Sequence, residues 1–425
     1  MELSFVPMYT CIKSMRKLRV FTIALILIVN CITTWADSNN LYAWWADTFS
    51  LFKDPNTGLT SFPTLLIPMG GLSEGMGTAS SAVARDSGYI DSNPAASSLL
   101  QNSELAFYHH NWIADSNLEG VVYTVRFNDL GIGIGGKFLY VPFTAYNEWG
   151  VAGAKDYITE TVGTLNVSYN FLSSFYFYGL AVGGNLKIAY RNIPPVFAAN
   201  QSALAVMGDV GLQTSFNFLK FYSSQSKNFS TGLVVKNLGI SSLSDEVLPQ
   251  VATAGFAWSP LRPWMMAVDF NLPFTFAFQG IPAETWNLAV GTTVAMTDFL
   301  SVQAGVLWKA DNPRISIGTA LALGMLDLTV NYNLDLSGQL NPLDKFSVQA
   351  KFNLGDSGRA ARADQAAKLY LQGVEEFANG NYEKAISLWQ QVLQLDPKYL
   401  PAADNIRTVQ QTLRLQEQMQ NQGTK

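Results

Sequence analysis

The stretch "LDLTVNYNLD", residues 326–335, decides the fold, because apolar and polar residues alternate along it without a break. Successive side chains of a strand point to opposite faces, so one face here is apolar and the other carries acidic, amide and hydroxyl groups. The apolar face suits lipid and the polar face suits the lumen of a transmembrane barrel. Soluble antiparallel strands also alternate, so the fold class depends on how often the pattern recurs.

The same alternation recurs from Glu104 to Leu354, most clearly at 300–309 and 346–354. About fourteen such segments can be counted, an even number that returns the chain to its starting side as in bacterial single-chain barrels. They begin near Glu104, Leu118, Gly131, Thr159, Phe177, Ala203, Asn228, Gln250, Trp264, Glu284, Phe299, Arg314, Leu326 and Asp344. The sequence therefore predicts an all-β transmembrane barrel of about 14 antiparallel strands.

The connections between these segments predict the orientation of the barrel. Outer-membrane barrels have long outer loops and short periplasmic turns. The outer loops are expected at 113–117, 140–158, 191–202, 239–249, 273–283, 310–312 and 336–343. The inner turns are expected near 128–130, 171–175, 219–227, 259–263, 295–298 and 324–325.

Residues 1–36 have the pattern of a secretory signal peptide. A basic cluster precedes an apolar run, Val20 to Ile32, which is shorter than the roughly 20 residues that a spanning helix needs. Cleavage is expected near Ala36, and Met15 is an alternative start. Both cysteines, Cys11 and Cys31, lie in this leader, so the mature chain is expected to have no disulfide and no thiolate metal site.

The composition excludes several classes of function. Charged residues make up 14% of the chain and aromatic residues 12%, as expected for a barrel in lipid, and a net charge of -5 without a basic cluster argues against a nucleic-acid partner. The run Gly131–Gly136 contains G-x-G-x-x-G but continues as a strand, so no nucleotide cofactor is expected. His109 and His110 are the only histidines and face opposite ways on one strand, which predicts neither a metal site nor an enzyme.

After Leu354 the composition changes to that of amphipathic helices. Residues 355–358 read as a hinge, and 359–419 as a tetratricopeptide repeat with a covering helix, followed by a tail at 420–425. The repeat has a period of about 34 residues, and its small and aromatic positions predict how two antiparallel helices pack. These positions are Gly373, Gly380, Tyr382, Ala385, Trp389 and Pro397. Such a repeat normally binds another protein, here in the periplasm.

Phenylalanines in two outer loops have two interpretations. Exposed rings would suit a place where a hydrophobic ligand enters. Alternatively, the strands extend further and the rings join the aromatic girdle at the membrane interface. The residues concerned are Phe197, Phe274, Phe276 and Phe278.

The segment Gly75–Leu100 lacks alternation and is crowded with glycine, alanine and serine. Its small residues can pack closely inside a barrel. Asn93 can cap a helix that starts at Pro94, so a short helix is expected from Ala95 to about Leu100. The segment therefore predicts a plug in the lumen.

This segment resembles the N-terminal hatch of FadL-type long-chain fatty acid transporters and the related PorV/PorQ proteins. The resemblance rests on Met76, Gly77, Ala79, Ala82, Asp86, Asn93, Pro94 and Ala95. The preceding stretch, Asp54–Gly71, is similar to a family of treponemal FadL-like outer-membrane proteins. The resemblance implies a fourteen-stranded barrel plugged by a hatch, although Ala96 stands where the family usually has glycine and typical members have no fused helical repeat.

The predicted organisation is a signal peptide at 1–36, a luminal hatch at 37–103, a barrel at 104–354 and a periplasmic helical repeat beyond the hinge. The expected function is uptake of long-chain fatty acids or similar hydrophobic molecules across a bacterial outer membrane, by a monomer without a cofactor. The alternative is a PorV-like scaffold that acts in secretion or attachment through protein partners.

Overall fold

The computed structural model describes residues 47–83, 85–112, 115–146, 148–224, 226–243, 246–276, 280–335 and 345–423. The predicted signal peptide, Phe278 and the last two residues of the predicted tail lie outside these ranges.

Fourteen antiparallel strands form one closed barrel, in which each strand pairs with its neighbours in sequence and β1 pairs with β14. The strands are β1 (Glu104–Asn111), β2 (Asn117–Phe127), β3 (Leu130–Tyr146), β4 (Ala152–Phe171), β5 (Leu180–Asn192), β6 (Ala203–Phe216), β7 (Phe229–Ser241), β8 (Val251–Leu261), β9 (Trp264–Pro273), β10 (Asn287–Ala295), β11 (Leu300–Lys309), β12 (Arg314–Leu323), β13 (Leu326–Asp335) and β14 (Lys345–Asn353). The predicted strand number is confirmed.

The faces of β13 confirm the interpretation of the opening stretch. Asn331 is fully buried and Asn333 is 6% exposed, whereas Val330 and Tyr332 are 42% and 43% exposed. The polar face therefore points into the barrel and the apolar face outward. Large apolar side chains lie on the outside of the other strands in the same way, which is typical of a wall in contact with lipid.

The largest departure from the predicted boundaries lies between β3 and β4, and smaller shifts occur elsewhere, since β5 begins at Leu180 and β8 continues to Leu261. The range 140–158 was expected to be a loop, but β3 continues to Tyr146 and β4 begins at Ala152. Where they extend beyond the rest of the barrel, neither face of the two strands is consistently buried. Alternation is required only where one face is buried, so this extension left no pattern in the sequence.

Before β1, the described residues from 62 to 100 have little regular structure and lie inside the barrel. Their elements are the 3-10 helices Pro63–Leu65 and Pro94–Leu99 and two short helices, α1 (Gly71–Gly75) and α2 (Tyr89–Ser92). We call residues 62–83 and 85–100 the luminal segment. Most of its side chains are buried, although it contains few large apolar residues.

Three helices follow the barrel: α3 (Arg359–Ala378), α4 (Tyr382–Leu395) and α5 (Leu400–Gly423). We call residues 359–423 the helical domain. Its core is built around Trp389, which is 1% exposed, with Ala385 and Val392 fully buried beside it. The predicted change from strands to helices after Leu354 is confirmed.

Candidate functional site: the occupied lumen

Inward-facing glycines of the wall bring the luminal segment into contact with the strand backbone. A Cβ atom added at Gly305 would lie 2.2 Å from the carbonyl carbon of Met76, and one at Gly183 would lie 2.4 Å from the oxygen of Pro94. Only glycine allows so close an approach at these two positions. The glycines of residues 131–135, which formally matched a nucleotide motif, act in the same way, since a Cβ at Gly131 would lie 2.3 Å from the carbonyl carbon of Ser97.

Asn93 joins two parts of the luminal segment to the wall. Its Oδ1 accepts from the N–H of Ala95 at 3.1 Å, which confirms the predicted helix cap. Its Nδ2 donates to the carbonyl oxygens of Ser81 at 2.7 Å and of Leu212, on β6, at 3.1 Å. The helix that begins at Pro94 is a 3-10 helix rather than an α-helix.

A second attachment is made by Asp269 on β9. Its carboxylate accepts from the N–H groups of Ser80 and Ser81 at 2.9 and 2.8 Å and from the Ser81 hydroxyl at 2.8 Å. Gln213 donates to the carbonyl oxygen of Ala82 at 2.8 Å. Hydrogen bonds to a buried carboxylate are strong, so this turn of the luminal segment is held firmly to the wall.

The other hatch residues named from the sequence also lie in the lumen. Met76 and Ala79 are fully buried, and Gly77 has a φ of +62° beside the backbone of Val306. Asp86 accepts from the N–H groups of Leu72 and Gly88 at 3.0 and 2.9 Å, so it organises the segment internally.

Several luminal contacts were missed by the sequence reasoning. Glu74 on α1 accepts hydrogen bonds from the side chains of Asn333 and Ser347, and its Oε1 lies 3.3 Å from Nε2 of His110. Lys137 on β3 binds Asp91 at 2.6 Å. The inward polar positions of the strands were visible as alternation, but a period of two does not say which luminal residue each one meets.

Two of the cavities in the described lumen lie on opposite sides of the luminal segment. The first, of about 370 Å³, is lined by Ser80 and Ser81, and the second, of about 640 Å³, by Ala82 and Val83. The first cavity opens toward the end with the predicted outer loops, and the second toward the opposite end, where Tyr222 and Lys227 of the connection 217–228 line it. Consecutive residues of one segment therefore divide the lumen between its two ends.

The first cavity has an apolar part and a charged part. The apolar part includes Leu65, Leu66, Ile67, Trp112 and Leu307; the charged part includes Glu74, Asp91, Lys236, Asp269, Lys309, Arg314 and Lys345. Nζ of Lys236 donates to the carbonyl oxygen of Asp91 at 3.3 Å, and in the described ranges no carboxylate lies within 4.0 Å of it.

Each described phenylalanine of the predicted outer loops contacts another aromatic ring. Phe197 is 59% exposed and contacts Phe143, with the ring centroids 5.2 Å apart. Phe274 and Phe276 contact each other at 5.9 Å. Because β9 ends at Pro273, the interpretation in which this strand extends through the next rings is wrong for the residues described.

The helical domain brings the predicted repeat positions together. A Cβ at Gly373 would lie 2.4 Å from Nε1 of Trp389, so α3 and α4 approach closely there. Gly380 has a φ of +80° in the turn between them, and Tyr382 contacts Phe377 at 5.5 Å. Pro397 lies in the turn after α4, which ends at Leu395.

The helical domain also contacts the end of the barrel that carries the short turns. Nζ of Lys398 lies 2.5 Å from Oδ2 of Asp129 and 2.6 Å from the Ser173 hydroxyl. The ring of Tyr399 contacts that of Phe175 at 4.7 Å. On the barrel side, Asp129 belongs to the turn after β2, and Ser173 and Phe175 belong to the turn after β4. The domain and the barrel therefore share an interface.

Within the described residues, no cluster of three metal-ligating side chains is present. His109 pairs with Glu119 at 2.8 Å on the outer wall, while His110 is buried, so the two rings face opposite ways as predicted. No helix of the described chain is both long and apolar enough to cross a membrane.

The fold and the site together define a closed β-barrel whose lumen is occupied by its own N-terminal segment. Residues 43–357 match the uncharacterised protein family UPF0164, and the chain belongs to this family. A UPF0164 protein of Treponema pallidum (strain Nichols) is 28% identical over 377 residues, which cover 85% of each chain. A second from the same organism is 24% identical over 391 residues, covering 84% of this chain and 76% of the relative.

Among solved structures, the Pseudomonas putida toluene transporter TodX is similar with a TM-score of 0.46 and 12% identity, covering 67% of this chain and 98% of TodX. The Ralstonia pickettii toluene transporter TbuX has a TM-score of 0.46 and 9% identity, and the match covers 70% of this chain and 99% of TbuX. Both similarities are distant.

Proposed function

We propose that this chain is an outer-membrane barrel that takes up hydrophobic or amphipathic small molecules, with the luminal segment as its hatch and the helical domain in the periplasm. One observation carries the proposal: a single buried segment lies between two cavities of a closed barrel. An open porin needs a continuous aqueous channel, whereas this lumen is interrupted by the luminal segment. Transport therefore requires the hatch to move.

The outer wall supports a place in a membrane. Outward-facing side chains such as Leu165, Val167 and Phe256 are more than half exposed, which is costly in water and favourable in lipid. The connections at the end opposite the helical domain are mostly longer than those at its own end, with 172–179 and 217–228 as exceptions, and this supports an orientation with the helical domain in the periplasm. A cleaved signal peptide at 1–36 would export the chain.

The first cavity supports an amphipathic ligand. Its volume, about 370 Å³, is within the range of small-molecule sites. A long apolar body would lie against the side of Leu65 and Leu307, and an acidic head group would lie near Lys236 and Lys345. A long-chain fatty acid has both parts, so we propose it as the ligand class.

Hatch movement can be tested with a disulfide, because the mature chain is expected to contain no cysteine. The hydroxyl oxygens of Ser97 and Ser168 are 2.6 Å apart, on the luminal segment and β4. We expect oxidised Ser97→Cys/Ser168→Cys in liposomes to lose uptake of a labelled fatty acid and to regain it after reduction. The matched control is His109→Cys/Glu119→Cys, whose Nδ1 and Oε1 atoms are 2.8 Å apart across β1 and β2 on the outer wall, away from the lumen.

Uptake that persists equally in the oxidised and reduced hatch variant would contradict a moving hatch. If the unmodified protein neither binds nor passes a labelled fatty acid, the proposed function itself fails.

Lys236→Gln tests whether the ligand carries an acidic head group: we expect weaker binding of a fatty acid but unchanged binding of its methyl ester. The control is Lys227→Gln, in the turn between β6 and β7.

A second candidate function is a scaffold for protein partners. The observation that favours it is a row of apolar side chains on α3, where Leu371, Val374 and Phe377 are 65%, 38% and 40% exposed. A tetratricopeptide repeat would use such a surface to bind a periplasmic protein. Purifying the full chain from native membranes tests this: a stoichiometric partner that is lost in Leu371→Glu but kept in Gln372→Glu supports the scaffold.

A further inference from the structure

The described chain begins on the outside of the barrel wall. The rings of Phe49 and Phe52 contact that of Trp308, with centroid distances of 6.4 and 5.3 Å. Trp308 is on β11, on the same face as Val306, which is 44% exposed. The opposite face of this strand carries Gln303, which is 2% exposed and lies inside. Residues 49–52 therefore lie against the outward face.

The aromatic contacts continue around the wall. Trp286 lies 6.1 Å from Trp308 and stacks on Phe270 at 5.7 Å, and Phe270 is on the outward face of β9. Two side chains of the N-terminal stretch project beyond this cluster, since Leu51 is 86% exposed and Phe52 is 49% exposed. The exposed apolar surface is thus continuous with the wall that faces lipid.

Residues 54–61, which we call the strap, connect this outer stretch to the lumen over the rim. Asp54 accepts from the N–H of Thr285 at 2.6 Å, and the side chain of Asn56 donates to the carbonyl oxygen of Ala283 at 2.9 Å. The N–H of Ser61 donates to the carbonyl oxygen of Val247 at 2.8 Å. The three residues that bind the strap, Thr285, Ala283 and Val247, lie in the long connections before β10 and β8. The chain therefore crosses the rim at that end.

We infer that residues 49–52 are a lipid anchor in the outer leaflet, and that the chain therefore enters the barrel from the cell surface. The inference rests on the proposed function for its orientation, which puts the long connections outside. The chain then runs from the surface through the barrel to the periplasmic end, where Ser103 precedes β1.

Lipid is the occupant because of the position and chemistry of the stretch. Aromatic side chains are enriched where a membrane meets water, and Trp308, near the end of β11, and Trp286, just before β10, fit that position. Leu51 and Phe52 extend the same apolar surface, so they belong to one continuous patch with the outward wall and are not scattered single residues. Large exposed patches mark sites that contact a membrane or a partner, and continuity with the lipid-facing wall favours lipid.

Epitope accessibility tests the surface location in living cells. One epitope is inserted between Asn39 and Asn40 and another after Lys425 of the full chain. We expect antibody to bind the first on intact cells and the second only after permeabilisation. If both are protected on intact cells, the inference is overturned while the orientation stands. If the C-terminal epitope is accessible on intact cells, the orientation fails and the proposed function fails with it.

Spin labels test the contact with lipid. Labels are attached at Leu51→Cys and, as a control on the strap, at Thr57→Cys, which is also exposed. In liposomes we expect dissolved oxygen to relax the Leu51 label more than a water-soluble nickel chelate does, and the reverse for Thr57. A Leu51 label relaxed mainly by the nickel chelate overturns the anchor. So does a label shielded from both reagents in native membranes, because a protein partner then covers the stretch.

Discussion

The glycines of the wall differ in which atoms a Cβ added at each position would contact. At Gly305 the added atom would clash with the backbone of Met76 and Gly77, whereas at Gly163, on the outer face of β4, nothing lies within 4 Å. A backbone atom cannot move aside as the end of a flexible side chain can. Close packing of the luminal segment thus depends on particular glycines and not on glycine content in general.

We predict that Gly305→Ala displaces the luminal segment and raises the ion conductance of the protein in planar bilayers. Overpacking of this kind costs about 1–3 kcal/mol. The control is Gly163→Ala, which also replaces a strand glycine but has open space, and should leave conductance unchanged. Equal conductance in the two variants would contradict the close contact at Met76.

We predict that the strap loosens in acid. Partial burial of Asp54 opposes ionisation, but the N–H groups of Thr285 and Asn56 bond to its carboxylate, and the net effect lowers its pKa. A carboxyl with a lowered pKa contributes stability above its ordinary value, near 4, and loses it as the pH falls through the lowered value. A spin label at Thr57→Cys should become mobile on acidification below about pH 4.

Asp54→Asn should make the same label mobile at neutral pH, because the amide lacks the charge that strengthens both bonds. The loss is local: the midpoint of barrel unfolding should stay the same. Glu246→Gln, which changes the carboxylate bound to Arg191 in the neighbouring connection before β8, serves as the control for a general effect of removing a carboxylate. A label that stays ordered in Asp54→Asn would show that the carboxylate does not hold the strap.

The elements differ in how far sequence could predict them. For β13, both the bounds and the directions of the side chains were predictable, because apolar and polar residues alternate along its whole length and one face is buried. The extension of β3 and β4 was not, because exposure on both faces removes the pattern. The cap at Asn93 was predictable because it is local, but its bond to Leu212 joins residues 119 positions apart and depends on the closed barrel.

We predict that Gly373→Ala destabilises the helical domain by about 1–3 kcal/mol. The added Cβ meets the indole of Trp389, which is buried and cannot move away. In the full chain, the domain should become sensitive to protease at lower temperature while the barrel remains resistant. Gln372→Ala, at the exposed neighbouring position of α3, should behave as the unmodified protein.

For the whole molecule, the interface between the helical domain and the barrel depends on Lys398. We predict that Lys398→Glu releases the domain from the turn end, because a second carboxylate would face Asp129 at the position of the ammonium group. Small-angle scattering in detergent should report a larger radius of gyration. Lys368→Glu, on the exposed side of α3, is the control, and an unchanged radius in Lys398→Glu would show that the Tyr399–Phe175 contact is sufficient alone.

The order of assembly follows from the path of the chain through the barrel. The strap leaves the lumen at one end, Ser103 leaves it at the other, and β1 starts at the next residue. Once β1 is paired with β14 from Glu104 to Asn111, the closed ring has no gap through which a segment could enter sideways. The luminal segment could then enter only end-on, with its N-terminal side passing through the whole length of the lumen. We expect it to be in place before this last pair of strands forms, so that pairing of β1 with β14 is the final step of folding.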